Sequence, residues 1–165
     1  MKIYLAGTVP KGDKEAETFD NWRQLFKAEL SKYFVDAEFF DHSKIKADES
    51  DYKGIVGLDC SLIKKSDLVV VNAALHLGVG TSQEMVIAKY FRKPVITVLP
   101  KNTPHRRNNL VFHGKLIEDW IHPFIHTFSD VIIETIAEIK KYRKLDFPIK
   151  DMSIIDRCIE HYNSL

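Results

Sequence analysis

The feature that most constrains the fold is the run Leu68-Val69-Val70-Val71, preceded by Ser66-Asp67 and followed shortly by Gly78-Val79-Gly80-Thr81. Four large apolar residues in a row, three of them β-branched, predict a strand covered on both faces. A glycine-punctuated turn after it and an amphipathic stretch from about Ser82 to Phe91 predict a helix, and Val95 to Leu99 predicts the next strand. Strand, helix, strand in this order is the unit of a parallel sheet.

The rest of the chain extends that pattern. Lys2 to Ala6 predicts a short buried strand that ends at Gly7-Thr8. Phe19, Trp22, Phe26, Leu30 and Tyr33 recur at helical spacing over residues 15–33. Ala37 to Phe40 predicts a second strand closed by Asp41-His42-Ser43, and a polar loop from Lys44 to Lys53 follows. The next helix places Ile55, Leu58 and Leu62 on one face. Residues 101–123 read as irregular, with Pro104 and Pro123 as breakers. Ile125 to Phe128 is expected as a fifth strand, Ser129-Asp130 as the cap of a helix reaching Tyr142, and residues 153–163 as a last helix. The expected architecture is a single α/β domain over residues 1–165. It has a three-layer flavodoxin-like (Rossmann-like) parallel sheet of about five strands, with a helical extension from about residue 143.

Composition narrows the function. With 45% hydrophobic and 28% charged residues and a net charge of +1, no global field draws the chain to polynucleotide or membrane. The strongest local basic run is His105-Arg106-Arg107. Two cysteines, Cys60 and Cys158, are too few for a disulfide framework and are read as packing residues. No apolar segment has the length of a membrane span or signal peptide, so a cytoplasmic location is expected.

In an open parallel sheet, ligands sit beyond the carboxyl ends of the strands. That rule gathers Gly7-Thr8, Asp41-His42, residues 76–81 and the segment after Leu99 around one cleft. Several chemistries fail there. Gln83 stands where a dinucleotide fingerprint needs its third glycine, no Walker motif occurs, and Asn72 replaces the aspartate of a receiver domain. The His and Cys residues lack zinc spacing, and no metal or cofactor is expected.

Carboxylates remain. Glu84 has two readings: the end of a capping box begun by Thr81, or a nucleophile near a helix start. Asp59, on a helix with an apolar Ile55/Leu58/Leu62 face, reads by itself as a solvated helix carboxylate. Tyr4 alternates within the first strand and by itself reads as core. The loop with Arg106, Arg107, His113 and Lys115 is either a solvated basic surface or a phosphate site.

Taken together, four sequence features resemble the nucleoside 2-deoxyribosyltransferase superfamily, which includes deoxynucleoside 5′-monophosphate N-glycosidases. These are Ile3-Tyr4-Leu5-Ala6-Gly7, then Asp59 eight residues before Asp67-Leu68-Val69-Val70-Val71, then Gly80-Thr81 with Glu84, then Lys93-Pro94-Val95. The resemblance covers roughly the first hundred residues. It implies that Glu84 attacks C1′ and carries the sugar as an ester, that Asp59 assists departure of the base, and that Tyr4 hydrogen-bonds the nucleophile. It puts Asp41 and His42 near the base, and Gly7 and Thr8 near the sugar or its 5′ substituent. Gly78, Gly80 and Thr81 form the turn that lets the sugar approach. It implies a small-molecule nucleoside or nucleotide as partner and a homodimer or higher homo-oligomer. The chain departs from the pattern at Met85-Val86 after Glu84, and at His76-Leu77 where the transferases carry another acid. An alternative is a non-catalytic module of the same fold that binds a nucleotide or nucleotide signal. A third is a glycohydrolase acting on a dinucleotide such as NAD.

Overall fold

The computed structural model describes residues 1–10, 12, 14–15, 21–45, 48 and 50–165. Phe19 and part of the polar loop after Lys44 lie outside them. Strand β1 (Lys2–Ala6) is followed by helix α1 (Trp22–Ser31), β2 (Glu38–Phe40), a 3-10 turn (His42–Lys44) and α2 (Tyr52–Lys65). Then come β3 (Leu68–Asn72), α3 (Val79–Tyr90) and β4 (Val95–Val98). The remainder is β5 (Arg106–Phe112), β6 (Lys115–Ile121), α4 (Pro123–Phe128), β7 (Val131–Ile133), a 3-10 helix (Ile136–Tyr142) and α5 (Ser153–Asn163). No helix among the described residues is long and apolar enough to cross a membrane.

Five strands form one parallel sheet in the order β2-β1-β3-β4-β7, the flavodoxin-like arrangement expected from the sequence. Side chains alternate across it. Ile3, Leu5, Leu68, Val70, Ile96 and Val98 face α1 and the 3-10 helix. Tyr4, Ala6, Val69, Val71 and Val95 face the other way, toward α2, α3 and α4. That parity matters for function, because it turns the Tyr4 side chain to the layer that carries Asp59 and Glu84.

Three expectations are corrected. Residues 101–123 are not irregular: β5 and β6 form an antiparallel hairpin closed by His113 (φ 48°) and Gly114 (φ 77°). A two-residue turn with both φ positive matches the right-handed twist of paired strands. The fifth sheet strand is Val131–Ile133 rather than Ile125 to Phe128, which is helical because Pro123 sits in the first turn of α4. Ser129-Asp130 therefore starts no helix, and Ser129 ends α4. Ser129 instead pairs with Thr97 at 2.7 Å, and Asp130 holds the buried Lys89 ammonium, the Val95 amide and the Lys150 amide. The cap lies at Thr135, whose capping box with Glu138 starts the 3-10 helix.

The start of the C-terminal segment packs on the core. Tyr142, Leu145 and Phe147 pack on the α1 side of the sheet. Beyond them α5 buries none of its residues fully, and Cys158 on it is exposed, against its reading as a packing residue.

Candidate active site

The site is assembled at the β1/β3 boundary, where the strand order reverses and the chain leaves the sheet in opposite directions. Tyr4, in the middle of β1, is 1% exposed and projects between α2 and α3. Its hydroxyl lies 2.7 Å from Glu84 Oε1 and 3.1 Å from Asp59 Oδ1. A phenol has one proton to donate, and the shorter contact marks Glu84 as its main acceptor. His42, from the turn after β2, reaches Asp59 Oδ1 through Nδ1 at 2.7 Å. Four residues from four elements thus form one chain: His42, Asp59, Tyr4 and Glu84.

The geometry removes the capping-box reading of Glu84. Helix α3 begins at Val79 with Gly78 as its cap residue, and no side chain caps it. Thr81 lies inside the helix and is buried, so Thr81 and Glu84 do not form a capping box. Glu84 sits in the second turn with its carboxyl group turned inward. It is 9% exposed, and its Oε2 is buried without a hydrogen-bond partner among the described residues. Leaving a carboxylate oxygen in that state is costly, and such exceptions cluster at functional sites. Burial pushes the Glu84 carboxyl up to about 7, against the Tyr4 hydrogen bond, which favours the ionised form; the Asp59 charge adds to the rise. Burial likewise raises the Tyr4 hydroxyl, with the charges of Glu84 and Asp59 beside it, so it stays a proton donor.

Asp59 is not a solvated helix carboxylate. Its side chain is 17% exposed, and both of its contacts fall on Oδ1, which leaves Oδ2 unengaged among the described residues. Gly78 and Gly80 line the exposed start of α3, and a Cβ at either would meet nothing within 4 Å. The protein's own packing therefore does not require glycine there, and the space above α3 stays open.

Asp41 is placed differently from its expected role. It is 6% exposed and saturated: Lys27 Nζ at 2.7 Å, Ser43 Oγ at 2.6 Å and Arg23 Nε at 3.1 Å. Burial alone would raise its carboxyl, but the bonds from Lys27 and Ser43 and the charges of Lys27 and Arg23 hold it below the usual range. Asp41 is an anchor beneath the cleft rather than a group free to meet a base. Arg23, absent from the sequence reading, bridges this anchor to the Gly7 and Thr8 carbonyls. A cation in the first turn of a helix runs against the helix dipole, and that was its visible signal.

Arg106 and Arg107 do not act as a pair. They alternate on β5, so Arg106 points inward and Arg107 outward. Arg106 donates to both Asp119 oxygens (2.8 and 2.6 Å) and to Leu99 O (3.1 Å), which corrects its expected place in a phosphate site. Arg107 remains exposed beside a shallow polar depression lined by His76, Asn102, Thr103 and Asn108. A second, mainly apolar cavity of about 440 Å³ lies on the opposite flank of α3, between Met85, Val86, Phe124 and Phe128. Glu84 is not among its lining residues. His105 closes one side of it and accepts the Leu77 amide through Nε2 at 3.0 Å. Among the described residues no cluster of His, Cys, Asp and Glu is arranged to hold a metal ion.

No family model matches this chain, and no curated protein matches it in sequence. Solved structures do match in fold. The 2-deoxyribosyltransferase of Bacillus psychrosaccharolyticus superposes with a TM-score of 0.56 at 16% identity, over 92% of this chain and 98% of that one. The enzyme of the same name from Leishmania mexicana gives a TM-score of 0.59 at 14% identity, over 88% and 98%. The CMP N-glycosidase of Clostridium botulinum superposes less closely, with a TM-score of 0.45 at 21% identity over 88% and 98%. The chain shares the fold of the two deoxyribosyltransferases along nearly its whole length.

Proposed function

We propose that this protein breaks the N-glycosidic bond of a nucleoside or nucleoside 5′-monophosphate, with Glu84 as nucleophile. One observation carries the reading: the Tyr4 hydroxyl bridges two carboxyl groups, and the inner one, Glu84, keeps a buried oxygen with no partner among the described residues. Two carboxylates with separate environments are the equipment of a retaining glycosidase. A nucleobase instead of an alcohol departs here. The fold shared with deoxyribosyltransferases supports the same class of reaction.

In the first step Glu84 Oε2 forms a bond to C1′ as the C1′–N bond breaks. The electron pair of that bond leaves with the base, which takes a proton from Asp59. His42, 2.7 Å from Asp59, is placed to exchange that proton. Tyr4 holds the opposite Glu84 oxygen still, so that the free one faces the sugar. In the second step water or a second base attacks C1′ and passes its proton to Asp59 while the ester C1′–O bond breaks with its electron pair returning to Glu84, so both acids are restored. The thermodynamic cost of a buried, half-satisfied carboxylate is offset when the oxocarbenium-like sugar supplies the missing positive charge.

The active unit in this reading is at least a dimer. Val111, Phe112 and Leu116 at the hairpin tip are 62%, 52% and 56% exposed, and Phe124 is 70% exposed, more apolar surface than one chain covers.

The test is to incubate the protein with a panel of nucleosides and 5′-monophosphates, with and without an acceptor base, and to measure free and exchanged base. Release from any of them, lost in Glu84→Gln, supports the reading. Saturable binding of the same ligands without release by the wild-type protein replaces it with the non-catalytic module.

A further inference from the structure

Arg23 stands where a helix tolerates a cation least. It is the second residue of α1, in the turn where the helix dipole favours negative charge, and it is 3% exposed. A buried charge needs specific partners, and Arg23 has them on three sides. Nη1 donates to Thr8 O and Nη2 to Gly7 O, each at 2.9 Å. Nε is within ion-pair distance of Asp41 but out of line for a hydrogen bond. The guanidinium also lies over the Trp22 ring at 4.3 Å, and Trp22 Nε1 donates to Thr8 O. The Trp22 ring fills the space a side chain at Gly7 would need, 2.6 Å from the position of a Cβ.

Two consecutive carbonyls are therefore turned toward one guanidinium. In a trans peptide the N–H points opposite to the C=O. The amides of Thr8 and Val9, which share planes with those carbonyls, are directed away from Arg23, and neither meets an acceptor among the described residues. The Thr8 hydroxyl donates to His76 O at 2.9 Å, which ties the turn to the segment leading into the Glu84 helix. The turn is held from behind by Arg23 and from the side by the loop before α3.

We propose that Arg23 is a positioning residue for this site: by fixing the Gly7 and Thr8 carbonyls it presents the Thr8 and Val9 amides to an anionic oxygen group at the 5′ end of the substrate. Successive backbone N–H groups form a concavity suited to phosphate. The inference rests on the reading of Glu84 as the group that attacks C1′, and it adds the element that would set the distance from C1′ to the 5′ end. Arginine suits the task because its two parallel donors fix two carbonyls at once, which a lysine cannot do.

The test uses the full chain labelled with ¹⁵N and titrated with inorganic phosphate. In the wild type the Thr8 and Val9 amide resonances shift saturably. Arg23→Lys, which keeps the charge but not the paired donors, weakens phosphate about tenfold and raises KM for 5′-monophosphates more than it lowers kcat. A folded Arg23→Lys protein with unchanged phosphate affinity overturns the proposal. So does a wild type in which neither amide responds, and that measurement stands even where the variant does not fold. Base release is scored separately. An active protein whose two amides ignore phosphate loses this inference and keeps its function. One that shows Arg23-dependent binding at these amides but releases no base loses the catalytic reading alone.

Discussion

The Tyr4 hydroxyl donates to Glu84 at 2.7 Å while lying 3.1 Å from Asp59, so one phenolic proton stands between two carboxyl groups. When Glu84 is ionised, that proton stabilises its charge. When Glu84 is protonated, the same hydroxyl can accept from it and donate to Asp59 instead. Tyr4 itself stays un-ionised, and its bond to Glu84 helps set how the Glu84 carboxyl responds to pH.

Removing the hydroxyl should therefore move the pH profile. In the proposed reaction Glu84 must be ionised to attack, so kcat/KM rises with pH through the Glu84 value of about 7. The Tyr4 bond lowers that value, and Tyr4→Phe takes the bond away. The rising limb is expected to shift to higher pH, with activity at pH 7 lower by roughly tenfold or more. A profile of unchanged midpoint, merely scaled down, would assign Tyr4 to packing.

Glu84→Gln should abolish base release and also stabilise the protein at high pH. Burial raises Glu84 from 4.5 to about 7 in the folded state. Between these values the folded protein holds a proton that the unfolded chain has lost. Stability from this group is full below pH 4.5 and is lost as pH rises through about 7. A glutamine keeps the acceptor for Tyr4 and carries no charge to bury. The variant should melt near the wild type at pH 4.5 and roughly 5–10 °C above it at pH 8, on the order of 3 kcal/mol. Parallel losses in both proteins between those pH values would place the titrating group elsewhere.

How much of this was legible in the sequence follows from how local each signal is. The strand Leu68–Asn72 and the parallel order around it were readable because a doubly buried strand writes itself as a continuous apolar run. Tyr4, Asp59 and Glu84 were found by spacing and resemblance, but that they touch follows from the parity of β1, which only the sheet register settles. The hairpin was missed because its strands carry charged and amide residues on both faces, Arg107, Asn108, Glu118 and Asp119 among them, and lack the alternation that marks a half-buried strand. The start of α3 was placed late because glycine is a poor helix residue, yet Gly80 lies inside the first turn. Arg23 was passed over, and Asp41 was placed near the base, for a shared reason. A buried ion pair looks in sequence like two surface charges, and its partners sit 18 residues apart on a helix and a strand end.

The two hairpin arginines should separate cleanly. Arg106→Ala removes three donors from Asp119 and Leu99 and should cost about 1–3 kcal/mol of stability with no change in substrate preference. Arg107→Ala should leave the melting temperature within about 1 °C, as expected of an exposed residue. If the depression beside it takes a phosphate, Arg107→Ala weakens 5′-monophosphates about tenfold relative to nucleosides. Melting curves and paired KM values for a nucleoside and its 5′-monophosphate measure both effects. An equal response to the two ligand classes would leave Arg107 as solvated surface.

Assembly is the remaining expectation, and the hairpin supplies its argument. Val111 and Leu116 are cross-strand partners on one face of the ribbon, and Phe112 lies on the other, so no single fold-back onto its own sheet could bury all three. Helix α5 adds Ile155, Ile159 and Tyr162 at 39%, 52% and 75% exposure. Burial of each such side chain is worth about 1.5–3 kcal/mol, enough in sum to drive association of two copies. The wild-type protein should scatter light as a dimer or larger at micromolar concentration. The double variant Phe112→Ser, Leu116→Ser should dissociate toward monomers and keep its circular dichroism, because both residues lie outside the main core. If a partner's hairpin helps to close the cleft, base release falls with dissociation in proportion to the monomer fraction. A wild-type monomer with full turnover on dilution would leave each cleft self-contained.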